Sequence, residues 1–353
     1  MNAKTEIKRK PKEVEQPLRK EELDTKILGR TGLRVGIIGL GTAFLGVPGN
    51  EAAICLYKEP DKSVVDEELG IQTVIAALKA GVSLIDTAPK YVNGQSESMV
   101  AQAFKLHPEF VDRCLVTTKI GYYPEGFDYS YEMTLRCFEA SQQRLQRKEI
   151  DLVYIHDPMG IEPQRILGKS GTLAALRKLQ AKGVIRYVGI AADDPNCNAY
   201  YIETGEFDAA MVPTALSLLN HVAFQRIIPA AQRHNVGLVI GTPIERGLLV
   251  TGPISSTNYL DRNFSLKAIE QTRQIKNLAQ QFSVSLAAVA LQWCIRQPQV
   301  ASSAPGAANP NQAFQNTEAG KEIIPDELWQ KLETILKPLD PSRDLGISYY
   351  LQQ

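Results

Sequence analysis

Short apolar runs alternate with amphipathic stretches along most of the chain. Residues 26–35 form two short runs around a turn that contains Gly29 and Gly32, which predicts a β-hairpin. A buried strand is predicted next, at residues 36–41. The further predicted strands are 82–85, 114–118, 152–155, 185–190, 209–212, 236–240 and 300–303. The predicted helices are 66–80, 96–105, 130–146, 170–182, 196–204, 223–233 and 286–296.

The predicted strands are apolar throughout, without an alternating polar face, which indicates burial on both sides. Strands of that kind, joined by helices, favour parallel pairing. Eight such units predict an α/β fold, a (β/α)8 TIM barrel, with active-site loops after the strands. The long stretches 46–65 and 242–282 are expected to shape access to the site, and the second contains an extra helix near the C-terminus.

Composition narrows the class of protein. The 353 residues carry no formal net charge, so neither a nucleic acid nor an anionic membrane is favoured as a partner. Five cysteines without a Cys-x-x-Cys pair indicate a reducing compartment, and the scattered histidines predict no metal site. No apolar stretch approaches the about 18 residues of a membrane span, and the N-terminus lacks a secretory core. We therefore expect a cytoplasmic protein.

The domain organisation follows from the same patterns. Residues 1–25 alternate lysines and glutamates and are expected to form a disordered, charged tail. Residues 26–340 are expected to form a single barrel, followed by a C-terminal segment at 341–353. The expected partners are small molecules, and the expected oligomeric state is a monomer or a small homo-oligomer.

Three of the predicted strands end on ionisable residues of different kinds. The run at 82–85 leads into Asp86, the run at 114–118 into Lys119, and the run at 152–155 into His156, while Tyr91 lies in the loop after Asp86. Any one of these residues is as well explained by the need to end a strand. Because the ends of neighbouring parallel strands meet at one rim, the set as a whole predicts a common site.

The chemistry of that site follows from proximity. A free phenol has a pKa near ~10, and a nearby ammonium group is expected to lower it. Asp86 would keep Lys119 charged and oriented, and His156 could hold a carbonyl oxygen by a hydrogen bond. Such a site suits hydride transfer to or from a carbonyl carbon.

Residues 39–44 match a dinucleotide-binding fingerprint only in part. Gly39-Leu-Gly41 begins like Gly-x-Gly-x-x-Gly, but Phe44 stands at the third glycine. The run is better interpreted as the first strand turning toward the rim.

Several segments resemble the aldo-keto reductases, in the order that this family shows. They are Gly29-Arg-Thr-Gly32, Asp86-Thr-Ala-Pro-Lys-Tyr91, Gly94-Gln-Ser96-Glu97, Thr118-Lys119, Ile150 to Pro158, Gly183 to Gly189, Arg246 to Leu249 and Pro305 to Asn316. The resemblance covers residues 26 to 339 and implies the barrel fold and NADP or NAD as the cofactor. It implies Tyr91 as the general acid/base, Lys119 as its pKa partner, Asp86 as the partner of Lys119, and His156 as the residue that orients the substrate.

The same resemblance implies which residues hold the cofactor, without a Rossmann domain. The implied contacts are Gly41, Thr42, Asp86, Gly241, Thr242, Gly247, Leu248, Pro305, Gly306, Ala307 and Asn316.

The chain departs from the family at several of these positions. Ala191-Ala192 stands for the usual Ser-Asn after strand five, Pro213 for a glutamine, and Gly241 for an aromatic residue. The usual Arg or Lys near Pro305-Gly306 is missing, because Ala307-Ala308-Asn309 follows, so NAD becomes at least as plausible as NADP. His156-Asp157 is similar to the sugar-dehydrogenase-like branch, which acts on aldose, fucose or galactose. The alternative is a catalytically slow regulatory or scaffold subunit, like the potassium-channel beta subunits of this family.

Overall fold

Eight parallel strands close into a barrel in the computed structural model, which describes residues 18–47, 65–255, 259–260 and 262–349. The barrel strands, in spatial order, are β3 (Leu40–Gly41), β4 (Leu84–Asp86), β5 (Leu115–Ile120), β8 (Ile150–His156), β9 (Ile185–Ala191), β10 (Ala209–Val212), β11 (Gly237–Ile240) and β12 (Val300–Ser303). Parallel bridges Ile38 to Ser303 and Gly41 to Gly306 join the last strand to the first. The predicted (β/α)8 barrel is confirmed.

Two antiparallel hairpins accompany the barrel. The first, β1 (Thr25–Ile27) with β2 (Arg34–Gly36), is the hairpin predicted from the sequence. The second, β6 (Tyr122–Tyr123) with β7 (Gly126–Phe127), follows β5 and was not predicted. The predicted strand 36–41 is shorter in the structure, because Gly36 ends β2 and Ile38 forms only an isolated bridge.

The helices surround the sheet. They are α1 (Glu67–Ala80), α2 (Gln95–Leu106), α3 (Tyr131–Leu145), α4 (Pro163–Leu167), α5 (Thr172–Ala181), α6 (Pro195–Glu203), α7 (Ile227–His234), α8 (Leu248–Thr251), α9 (Leu266–Gln281), α10 (Leu286–Ile295), α11 (Pro310–Lys321), α12 (Asp326–Ile335) and α13 (Pro341–Leu345). Among the described residues no single helix is long and apolar enough to cross a membrane. Helices α9 and α10 together have the length and composition of a membrane span, but they are bent by 101° at their junction.

Side-chain caps explain where several helices begin. Asp66, Ser130, Ser265 and Ser285 each accept a hydrogen bond from the backbone N–H three residues later, which satisfies a donor that the first turn leaves free. The predicted helix 223–233 is divided in the structure. A short 3-10 turn at Val222–Phe224 precedes α7, which begins only at Ile227.

The first hairpin covers the N-terminal end of the barrel. Leu28 and Val35 are fully buried in the cluster that fills the barrel interior, together with Tyr154 of β8. A Cβ added at Gly237 would lie 2.5 Å from the backbone carbon of Leu28, so only glycine lets the hairpin approach β11 this closely. With this end filled by side chains, the rim at the C-terminal ends of the strands remains for a site.

Parts of four predicted segments lie outside the described residues: 1–17 of the tail, 48–64 of the loop 46–65, 256–258 and 261 of the stretch 242–282, and 350–353 at the C-terminus. Residues 18–25, which we assigned to the tail, already contact the rest of the chain, since Arg19 forms an antiparallel bridge with Glu322. Tyr349 donates a hydrogen bond to the Thr214 carbonyl at 2.7 Å. The division into tail, barrel and C-terminal segment stays a prediction.

Candidate active site

The four ionisable residues singled out at the strand ends line one cavity of about 950 Å³. Asp86 and His156 are the last residues of β4 and β8, and Lys119 lies near the end of β5. Tyr91 begins the turn after β4, in which Val92 and Asn93 both have φ of 52°. The topology of parallel neighbouring strands therefore brings together side chains that are up to 70 positions apart in sequence.

A buried ion pair lies at the base of this group. The side chains of Lys119 and Asp86 are 1% and 6% exposed, and Lys119 Nζ lies 2.5 Å from Asp86 Oδ2. Lys119 also donates to the Thr87 carbonyl at 3.0 Å, and the Thr117 hydroxyl donates to Asp86 Oδ1 at 2.8 Å. Burial lowers the pKa of Lys119, and the charge of Asp86 opposes that shift.

Tyr91 stands between this pair and His156. Lys119 Nζ lies 4.4 Å from the centroid of the Tyr91 ring, a cation–π distance. The rings of Tyr91 and His156 meet edge to face with centroids 5.9 Å apart. Phenol, ammonium, carboxylate and imidazole thus share one end of the cavity.

The pKa of Tyr91 differs in direction from the expectation. Burial, and then the charges of Asp86, Asp157 and Asp193, raise its pKa well above the ordinary value. The expected lowering by Lys119 is overcome, because three carboxylates and the loss of water disfavour the phenolate. At neutral pH the phenol of Tyr91 therefore carries its proton and can donate it.

His156 is a neutral imidazole in this environment. Burial, followed by the charges of Lys119 and Lys90, lowers its pKa well below the ordinary value. Its Nε2 lies 3.7 Å from Asp157 Oδ2, and within the described part of the chain its Nδ1 has no hydrogen-bond partner. A neutral imidazole can donate one hydrogen bond to a substrate oxygen.

Most of the implied cofactor contacts line the same cavity. They are Gly41, Thr42, Asp86, Gly241, Thr242, Gly247, Gly306, Ala307 and Asn316. The other two implied contacts, Leu248 and Pro305, are not among the described residues that line the cavity, although their neighbours Gly247 and Gly306 are. Leu248 is fully buried in the core, and the Pro305 carbonyl accepts the Gly41 N–H at 3.0 Å.

The lining leaves room for a dinucleotide to lie close to the backbone. Four glycines give a wall without side chains, and at Gly41 a Cβ would lie 2.9 Å from the Ala304 carbonyl oxygen. The cavity volume lies in the range typical of cofactor sites. The polar side chains of Thr42 and Thr242 are engaged with the scaffold, since Thr42 donates to the Asp86 carbonyl and Thr242 accepts the Thr214 N–H.

Sequence reasoning missed several charged and aromatic residues of the cavity. They are Lys90, Tyr122, Asp157, Asp193, Arg246 and Arg262. Adjacency was an available signal for two of them, because Lys90 precedes Tyr91 and Asp157 follows His156 directly. Arg262 gave no such signal: it is buried in an ion pair with Glu245, at 2.7 Å, that joins distant parts of the loop after β11.

Comparison with known proteins gives one consistent result. The model of the Aldo/keto reductase family matches residues 38–337. The chain is 29% identical to pyridoxal 4-dehydrogenase from Microbacterium luteolum, an alignment covering 88% of this chain and 97% of that protein. It is 28% identical to the NADH-specific methylglyoxal reductase of Escherichia coli, covering 83% and 92%. The solved structure of a glycerol dehydrogenase from Gluconobacter oxydans is 25% identical, with a TM-score of 0.70 and coverage of 90% and 97%.

The buried ion pair predicts the response of stability to mutation. Lys119→Met leaves the Asp86 carboxylate buried without its cation, so we expect the free energy of unfolding in urea to fall by about 3–5 kcal/mol. The double variant Asp86→Leu with Lys119→Met should recover most of that loss. Arg186→Met is the matched control: its pair with Asp151 is 2.8 Å long but more than a quarter exposed, and we expect about 1 kcal/mol or less. A loss below 1 kcal/mol for Lys119→Met would contradict the assigned burial.

Proposed function

We propose that Tyr91 exchanges the proton that accompanies hydride transfer in this protein. The chain belongs to the aldo/keto reductase family and is an NAD(P)-dependent oxidoreductase. The substrate is a carbonyl compound or a sugar hemiacetal. The single observation that carries the proposal is the convergence of Tyr91, His156 and the Lys119–Asp86 pair on one cavity. The names of the dehydrogenase and reductase relatives support it.

Each of the four residues has a definite task in this proposal. When bound, the nicotinamide supplies or accepts the hydride. The His156 imidazole donates a hydrogen bond that orients the substrate oxygen, and the Tyr91 phenol gives that oxygen its proton in reduction. The ammonium group of Lys119, held by Asp86, stabilises the negative charge that the phenol acquires afterwards.

The alternative, a regulatory or scaffold subunit, is not favoured. A protein that only binds a partner would not need a buried cation, a buried carboxylate and a neutral imidazole around one phenol. Buried charges are costly and are retained where they serve a site. A cytoplasmic location and the oligomeric state stay predictions.

We further propose NAD rather than NADP as the preferred cofactor. Residues 307–309, Ala-Ala-Asn, carry no cation in the segment that the resemblance assigns to the cofactor phosphate. The Ala308 N–H already donates to Gln312 Oε1 at 2.8 Å, and Asn309 Oδ1 accepts the Gln312 N–H at 3.0 Å. Pro310 begins α11 and has no N–H to offer. A 2′-phosphate would therefore find few donors, whereas a ribose hydroxyl fits.

Two carboxylates, one near the C-terminal end of α11 and one just after it, also favour NAD. Glu318 and Glu322 line the cavity, and Arg19 is paired with both, at 3.0 Å and 3.7 Å. Among the residues that line the cavity, Arg19 is the cation near these two carboxylates, and its ion pairs with them leave it less available to a phosphate. The E. coli relative whose name specifies NADH agrees with this preference.

The central prediction concerns Tyr91→Phe. Loss of the proton donor should reduce kcat for aldehyde reduction by roughly 10²- to 10⁴-fold, with little change in cofactor affinity. Tyr187→Phe is the matched control, because its hydroxyl donates to the Thr31 carbonyl near the first hairpin, away from the cavity. Steady-state kinetics with both variants test the assignment. A Tyr91→Phe enzyme within tenfold of the parent would show that another group carries the proton.

The direction of the Tyr91 pKa shift predicts a pH dependence. Since the pKa is raised, the phenol stays protonated through neutral pH, and the rate of reduction should be nearly constant between about pH 6 and 9. The reverse oxidation needs the phenolate, so its rate should rise with pH over this interval, by up to about tenfold per unit. Initial rates in both directions at constant ionic strength measure this. A reduction rate that falls with a midpoint near pH 7 would contradict the assigned shift.

The cofactor proposal is tested by Ala308→Arg. The parent should bind NADH more tightly than NADPH in fluorescence titrations. The added guanidinium should improve NADPH binding by roughly ten- to a hundredfold, because a charge-assisted hydrogen bond to phosphate is worth about 1.5–3 kcal/mol. Ala308→Gln, similar in length but neutral, should give little of that gain. A parent protein that prefers NADPH would overturn the proposal.

A further inference from the structure

Asp157 occupies an unusual backbone position at the edge of the cavity. It follows His156 at the end of β8 with φ of 49°, a left-handed conformation uncommon for residues other than glycine. Its N–H donates to the Ala191 carbonyl at 2.7 Å, and its carbonyl accepts the Tyr129 hydroxyl at 2.7 Å. These two hydrogen bonds hold the turn that places the Asp157 side chain in the cavity wall.

The carboxylate lies beside the atoms that the proposed reaction uses. Asp157 Oδ1 accepts the Asp193 N–H at 3.0 Å, which fixes the orientation of the group. Oδ2 lies 3.7 Å from His156 Nε2, and the charge of Asp157 acts on the Tyr91 phenol. If His156 holds one substrate oxygen, the Asp157 carboxylate therefore lies where an oxygen on the neighbouring substrate atom would be. There it can accept a hydrogen bond from that second oxygen.

The surrounding charges show what kind of group this acceptor suits. Asp193 adds a second carboxylate to the wall. Burial and the charge of Asp193 raise the pKa of Asp157 well above its ordinary value, and burial raises that of Asp193, while Lys119 opposes both shifts and Arg246 and Arg262 oppose the second. Cations of the protein therefore lie near both carboxylates, and a cationic ligand would meet those cations too. A neutral hydroxyl group needs only the acceptor.

Resting on the proposed function, we infer that Asp157 is a specificity-determining residue that accepts a hydrogen bond from a hydroxyl group on the carbon next to the reacting carbon. His156 and Asp157 would then bind two neighbouring oxygens, with Nε2 and Oδ2 at a spacing that suits such a pair. The substrate class is α-hydroxy carbonyl compounds, including aldoses and their hemiacetals. A simple aldehyde would leave the Asp157 carboxylate desolvated without a donor.

Two variants and a matched pair of substrates test this role. Lactaldehyde and propanal differ only in the α-hydroxyl group, and the parent should prefer lactaldehyde in kcat/KM by roughly ten- to a hundredfold. Asp157→Gly removes the carboxylate and accepts the positive φ without strain, and Asp157→Asn keeps the shape and the contact with the Asp193 N–H. In both, kcat/KM should fall more for lactaldehyde than for propanal, with most of the preference lost in Asp157→Gly. Equal losses for the two substrates would overturn the inference.

The control removes a carboxylate from the same strand. Asp151 lies in β8 and forms a partly exposed ion pair with Arg186. The variant Asp151→Asn should keep the parent's preference for lactaldehyde. Saturation-transfer NMR adds a measurement that needs no turnover. The parent should bind propane-1,2-diol in preference to propan-1-ol, and Asp157→Gly should bind both alike. If neither aldehyde is turned over, the proposed function fails, and the NMR preference still decides the role of Asp157.

Discussion

The ion pair of Lys119 and Asp86 is the interaction on which the rest of the site depends. Two opposite charges lie almost fully out of water, which is tolerable only because they neutralise each other and because Thr87 and Thr117 supply further hydrogen bonds. The pair joins the ends of two neighbouring strands. It therefore sets where the ammonium group lies, 4.4 Å from the centroid of the Tyr91 ring. Its geometry is a property of the barrel rim rather than of a mobile loop.

Burial and the neighbouring carboxylates, rather than the ammonium group, determine the protonation state of the phenol. Asp157 and Asp193 lie in loops after β8 and β9, and with Asp86 they surround Tyr91 with negative charge. The proton therefore stays on Tyr91 at neutral pH and is available to a carbonyl oxygen. In the proposed mechanism the same charges make the phenolate costly for the opposite direction, so the resting site favours reduction. In that proposed mechanism Lys119 acts mainly on the phenolate, after the proton has left.

Local patterning was sufficient to predict much of the fold. The strand at 209–212 and the strand at 300–303 have the predicted bounds, because apolar runs between turn residues carry a local signal. The convergence of Asp86, Lys119 and His156 was predictable because parallel strands share a rim. The direction of the Tyr91 pKa shift was not, since it depends on burial and on carboxylates from two other loops. The left-handed turn at Asp157 was also hidden, because the hydrogen bond from Tyr129 that holds it spans 28 positions.

The two ends of the cavity differ in how their polar groups are used. At the end that the resemblance assigns to the cofactor, Thr42, Thr242 and Gln312 form hydrogen bonds with neighbouring protein groups. At the end that holds Tyr91 and His156, Asp193 is exposed, and Asp157 Oδ2 lies 3.7 Å from His156 Nε2, beyond hydrogen-bond distance. Polar groups beside the reacting carbon can strengthen their contacts as the oxygen gains charge, whereas distant contacts bind the ground state and the transition state equally. Under the proposed function, this arrangement favours discrimination between substrates at the chemical step.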